Sequence, residues 1–172
     1  MKFLDGKKPE NIHFKWSADL EPVISMKSGD QISILVPDSS TWQIKREFST
    51  IDLANSVDPE KYDGAVGPIL VEDARPGDTL EVSIHKIRTG NWGWSAIIPE
   101  IGFLKGLFDN RLVVWDIGED AISVTKDFLA GIRIPVHPFL GVMGTAPSSG
   151  SVGMIPPQRF GGNMDNKKLG IG

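Results

Sequence analysis

Four side chains are the candidates for chemistry: His13, Asp38, Asn163 and Asp165. Asn163 and Asp165 stand two positions apart in Gly161-Gly162-Asn163-Met164-Asp165. In extended backbone, alternate residues project to one face. Two oxygen-bearing groups on one face suit half of a metal site, and they suit a turn equally well. The paired glycines let this backbone approach a ligand or another segment closely. Asp38 precedes Ser39-Ser40-Thr41; it reads as an Asx-turn cap or as a site carboxylate. His13 precedes Phe14 and Trp16, and on its own it is an ordinary strand histidine. His85 reads as a surface residue and His137 as a structural one, and the three histidines form no His-x-x-x-His or His-x-His pair.

Other chemistries are excluded. Cys is 0, which removes disulfides, a thiol nucleophile and thiolate metal ligation. Gly150-Ser151-Val152-Gly153 only approaches a Gly-x-Ser-x-Gly elbow and reads as a flexible loop. Ser148-Ser149-Gly150 lacks the partner lysine and the longer Gly-Ser run of serine amidases. No P-loop or Gly-x-Gly-x-x-Gly is present. Lys+Arg 18 against Asp+Glu 22 leaves a net charge of -4. No basic run is longer than Lys7-Lys8 or Lys167-Lys168, so phosphate-backbone binding has no electrostatic footprint. No apolar stretch reaches the roughly 20 residues of a membrane span. Met1 to Glu10 lacks a signal-peptide core. The expectation is a cytoplasmic protein with no nucleic-acid or membrane partner.

The elements that would position these residues are short strands. Gly 19 and Pro 12 in 172 residues argue for many turns and against a helical bundle. Gln31–Val36 and Thr79–Ile84 alternate apolar and polar residues, the mark of half-buried strands. A Gly-Asp turn opens each, at Ser28-Gly29-Asp30 and Pro76-Gly77-Asp78. Further strands are predicted at Ala65–Val71, Trp92–Ile98, Arg111–Ile117, Ala121–Val124 and Ile132–Val136, with a hairpin loop at Gly118-Glu119-Asp120. Arg46–Asn55 and Ile101–Leu107 each hold at most one or two helical turns. Trp42, Trp92 and Trp94 read as core or as pocket walls. The expected fold is mainly β: a β-sandwich-like domain over residues 1–134, with long irregular connections and little helix. A Pro/Gly-rich segment, 135–172, begins a second region whose apolar residues exceed what a linker needs.

The chain resembles the acetamidase/formamidase family of amide hydrolases. The likeness runs through Gly67-Pro68-Ile69-Leu70-Val71-Glu72, Ala74-Arg75-Pro76-Gly77-Asp78-Thr79-Leu80-Glu81-Val82, and Pro138-Phe139-Leu140-Gly141-Val142-Met143-Gly144-Thr145-Ala146-Pro147. It is most specific at Gly161-Gly162-Asn163-Met164-Asp165. His13, Trp16, Gly29-Asp30, Asp38 and Gln43 also fall in the family's order.

The resemblance implies hydrolysis of a small amide to a carboxylate and ammonia at a site holding a divalent metal, zinc or calcium. It implies Asp165, Asn163 and His13 as metal-site residues and Asp38 and Asp165 as catalytic carboxylates. Two departures bear on the pocket. Glu100 stands where relatives carry Gly, and Ser39-Ser40-Thr41-Trp42 precedes Gln43 where theirs are smaller. Family members are also longer, with Gly-Asp-His and Gly-Asp-Gly-Glu elements that this sequence lacks. The alternative is therefore an inactive fragment or a structural or binding module. The expected partners are a small amide, a second copy in a homodimer, or a complementing C-terminal polypeptide. Residues 148–172 would be mobile if such a packing partner is missing.

Overall fold

The computed structural model describes residues 2–124 and 129–172. As the sequence predicts, the chain is mainly β with little helix. β1 (Lys2–Asp5), β2 (Ile12–His13), β3 (Lys15–Ser17), β4 (Ile24–Met26) and β5 (Ile32–Leu35) precede one short helix, α1 (Thr50–Asn55). Next come β6 (Ala65–Val66), β7 (Ile69–Val71), β8 (Trp92–Ile97), β9 (Arg111–Ile117) and β10 (Asp120–Ser123). β11 (Arg133–Pro135), β12 (Val142–Gly144), β13 (Ser151–Gly153) and β14 (Gly161–Asn163) complete the order. The predicted strand at Ala65–Val71 is two strands, divided at Gly67-Pro68 because proline has no N–H to give to a ladder.

The largest sheet is antiparallel, in the order β11-β10-β9-β8. Its central hairpin closes where predicted, with Gly118 N–H donating to Asp120 O at 3.0 Å. The remaining strands pair in twos. β1 runs parallel to β5 and β4 parallel to β7. β2 with β6, β3 with β13 and β12 with β14 are antiparallel. Parallel neighbours demand long crossovers, which is why so much of this chain is irregular connection.

The two Gly-Asp turns form as read, with identical bonding. Asp30 N–H donates to Lys27 O at 3.0 Å, while Lys27 N–H donates to the Asp30 carboxylate at 3.0 Å. Asp78 N–H and Arg75 O repeat the pattern at 3.0 Å, and Arg75 N–H reaches the Asp78 carboxylate at 2.8 Å. The core gathers around Ile44, Leu53 and Leu112, with Phe48, Trp92 and Trp94 packed against it. Trp92 and Trp94 therefore serve the core. α1 delivers Leu53 to that core and starts on a capping box: Ser49 accepts from Asp52 N–H and Asp52 accepts from Ser49 N–H.

Two expectations are corrected. Thr79–Ile84 is no strand: the segment is mostly exposed and no ladder lies beside it among the described residues. Its alternation is real, but a strand needs a neighbour to pair with. Ile101–Leu107 forms successive turns and no helix, with Phe103 fully exposed; Gly102 and Gly106 both take positive φ, which ends any helical run. Within residues 148–172, β13 pairs with β3 and β14 with β12.

Ile44 is 1% exposed and Ile51 is 72% exposed. Ile44→Ala should cost about 2–5 kcal/mol in urea unfolding, whereas Ile51→Ala should stay within about 0.5 kcal/mol.

Candidate active site

Asn163 ends β14, opposite Val142 of β12. The first glycine of its motif is dictated by packing: Gly161 has φ 105°, and a Cβ there would overlap the Met143 carbonyl. Beyond the strand the backbone turns sharply. Met164 N–H and Asp165 N–H both donate to Gly141 O, at 2.9 and 3.0 Å. Asp165 takes φ 45°, a left-handed conformation that Asp tolerates better than most residues. Its carboxylate thereby lies over Gly141. A Cβ on Gly141 would sit 2.7 Å from Asp165 Oδ1 and 4.0 Å from Asn163 Oδ1. Asn163 and Asp165 thus converge on one small patch of backbone.

A third residue is coupled to them electrostatically, and the sequence reading missed it. Asp63 is buried, has φ 56°, and its N–H donates to Ser39 O at 2.7 Å. Gly64 N–H donates to Thr41 Oγ1 at 3.0 Å. Gln43 fixes the approach to this corner. Its amide nitrogen donates to Asp58 O and Lys61 O, at 3.1 and 3.2 Å, and its oxygen accepts from Asp58 N–H at 2.8 Å. Asn163 and Asp165 act on the Asp63 carboxylate in opposite senses: Asn163 favours its ionised form, and the charge of Asp165 opposes it. Burial, and then the charge of Asp165, raise its pKa above the ordinary carboxylate value, against the lowering by Asn163. The only local signal was an Asp-Gly pair before a strand, which reads as an ordinary turn.

Asp38 realises the Asx turn. One carboxylate oxygen accepts from Ser40 N–H at 2.7 Å and from Ser40 Oγ–H at 2.5 Å. Ser40 is fully buried and its Oγ also accepts from Ile44 N–H at 3.1 Å, so Asp38 anchors the loop that receives Asp63. Tyr62 registers both acids: burial first, then Asp38 and Asp63, raise its phenol pKa. His13 sits on β2 opposite Ala65, two residues beyond Asp63. Its Nδ1–H donates to Lys15 O at 2.8 Å, and its ring meets Trp16 edge-on at 5.4 Å. Burial lowers its pKa, so the ring is neutral at pH 7 with its lone pair on Nε2. Among the described residues no hydrogen bond or ion pair joins His13 or Asp38 to Asp165. His85 and His137 are exposed. Trp42 donates from its indole to Gly6 O at 3.2 Å and lies under Lys7.

Oxygen donors from two carboxylates and one amide form a hard set, which fits calcium-like cations better than zinc. Among the described residues no three His, Asp or Glu side chains converge as a complete metal-holding group.

The sign of the Asp63 shift sets a pH dependence. Its folded pKa lies above the unfolded one, so ionised Asp63 costs stability once pH exceeds its folded value, and costs nothing below its unfolded value. Asp63→Asn should raise the melting midpoint at pH 7, by about 2–4 °C for each kcal/mol relieved. The gain should vanish near pH 3, and thermal scans at the two pH values check it.

Comparison with known proteins bears on this corner. A model of the acetamidase/formamidase family matches residues 4–153. The formamidase of Methylophilus methylotrophus is 31% identical over 147 residues, covering 80% of this chain and 35% of that protein. The acetamidase of Mycolicibacterium smegmatis is 31% identical over 152 residues, covering 79% and 36%. Among solved structures, an acetamidase from Bacillus halodurans superimposes with a TM-score of 0.85 at 29% identity, covering 99% of this chain and 55% of the other. An acetamidase/formamidase from Thermoanaerobacter tengcongensis superimposes at 0.86 and 33% identity, covering 100% and 55%. The chain thus spans about a third of its curated relatives and about half of its solved ones. The chain belongs to the acetamidase/formamidase family.

Proposed function

We propose that this chain carries part of the catalytic site of a small-amide hydrolase, which releases ammonia and a carboxylate. The observation that carries the reading is the convergence of Asn163 and Asp165 over Gly141, with buried Asp63 coupled to both, in a chain of this family. Two carboxylates in unlike environments, one buried and one exposed, are an acid–base arrangement. In this reading Asp63 takes the proton of the attacking water as its oxygen bonds to the amide carbon. It returns that proton to the nitrogen as the C–N bond breaks. Asn163 orients the Asp63 carboxylate, and Asp165 holds the substrate-facing side. A divalent cation bound by Asp63, Asp165 and the Asn163 carbonyl would polarise the amide carbonyl and acidify the water. His13 and Asp38 enter as supports, through the β2–β6 ladder and the Ser40 turn.

The same cluster is compatible with a binding module, because the chain spans only part of its relatives. Turnover decides between the readings. Ammonia release from formamide or acetamide, assayed with calcium and with zinc, supports hydrolysis. No release with either cation, from the chain alone or from the chain complemented by the portion of a relative that it does not span, contradicts it. Where turnover is seen, Asp63→Asn and Asp165→Asn should each lower kcat by about 10²–10⁴-fold and change KM far less.

A further inference from the structure

Left-handed backbone concentrates at one corner of the molecule. Among the described residues, the non-glycine positions with positive φ are Thr41, Trp42, Asp63, Asp73, Leu129 and Asp165. Asp63 and Asp165 belong to the candidate site, and Thr41 and Trp42 belong to the loop that receives Asp63. Thr41 and Trp42 are consecutive, at φ 53° and 66°. For a β-branched residue this region is a genuine outlier. Such backbone persists only where its surroundings over-determine it. Here they do. Thr41 N–H donates to Asp38 O at 2.9 Å, and Gln43 N–H to Ser40 O at 3.3 Å. Trp42 is held twice more: its carbonyl accepts from Lys45 Nζ at 2.7 Å, and its indole N–H donates to Gly6 O at 3.2 Å.

The strained pair delivers one hydroxyl to the site. Thr41 Oγ1 accepts from Gly64 N–H at 3.0 Å, next to the bond from Asp63 N–H to Ser39 O at 2.7 Å. Gly64 is wedged in place: a Cβ there would lie 2.8 Å from Ile12 Cγ2, 2.9 Å from Thr41 Oγ1 and 3.0 Å from Phe14 Cε1. The loop thus grips Asp63 by its own N–H and by the next one, while Ile12 and Phe14 close the other side. We propose that Thr41 is a positioning residue for Asp63: its hydroxyl, held on strained backbone, fixes the Asp63–Gly64 peptide and through it the direction of the Asp63 carboxylate. The inference rests on the reading of Asp63 as the proton-transfer group.

The test compares Thr41→Val, Thr41→Gly and Thr41→Ser in the 172-residue chain. Valine keeps the branched shape without the hydroxyl. Glycine also lacks the hydroxyl but accepts left-handed backbone freely, so it keeps the test open where valine fails to fold. Serine keeps the hydroxyl. The readouts are the carbon-13 resonance of the Asp63 carboxyl at fixed pH and amide exchange at Gly64. In Thr41→Val and Thr41→Gly the Asp63 resonance should move and Gly64 should exchange at least about tenfold faster; Thr41→Ser should match the unmodified chain in both. Where the unmodified chain hydrolyses an amide, kcat should fall about 10–10²-fold in Thr41→Val and Thr41→Gly, with KM little changed. A role in stability alone would lower the melting midpoint and leave the Asp63 resonance where it was. Three results overturn the proposal: an Asp63 resonance unmoved in both Thr41→Val and Thr41→Gly, the same displacement in Thr41→Ser, or a moved resonance with unchanged kcat. Absence of turnover in the unmodified chain counts against amide hydrolysis instead, and the resonance still decides the positioning.

Discussion

The carbonyl of Gly141 holds the candidate site together. It takes the amides of both Met164 and Asp165, and so bends the backbone just past β14 and fixes Asp165 in a left-handed conformation. The absence of a side chain at 141 is then a steric requirement, since a Cβ would displace the carboxylate it supports. β12 and β14 exist in this scheme to bring Gly141 and Asn163 level. The turn that leaves them aims two oxygen-bearing groups at Asp63.

Asp63 comes from a separate part of the chain, and its placement rests on a second set of contacts. Gln43 clips the turn at Pro59–Lys61, Asp38 fixes the Ser40 loop, and Ser39 and Thr41 receive the backbone of Asp63 and Gly64. These bonds hold a buried carboxylate beside another carboxylate, an arrangement that burial and charge repulsion both oppose. A fold that sustains such a pair sacrifices stability at that point, which is the usual mark of a functional site.

Much of the fold was legible. Period-two alternation located β5, short strand-forming runs marked β8, β9 and β10, and the Gly-Asp pairs located both turns, because these signals are local. Thr79–Ile84 shows the limit of such signals: alternation reports a face to be covered, and cannot say whether this chain covers it. The same holds at the site. Asn163 and Asp165 stood out in spacing and motif, but the left-handed turn at Asp165 that brings both over Gly141 was not legible. Asp63 was not, since its part depends on a contact with Asn163 a hundred residues along the chain. Asp38 was legible only as two alternatives, and its bonds to Ser40 realise the turn.

The central claim is that Asp63 and Asp165 interact electrostatically across one site. The most direct measurement is a carbon-13 NMR titration of the Asp63 carboxyl, in the unmodified chain and in Asp165→Asn. The account predicts a pKa above the ordinary carboxylate value that falls in Asp165→Asn but stays raised by burial. An ordinary pKa in the unmodified chain, or a value indifferent to Asp165, would contradict it.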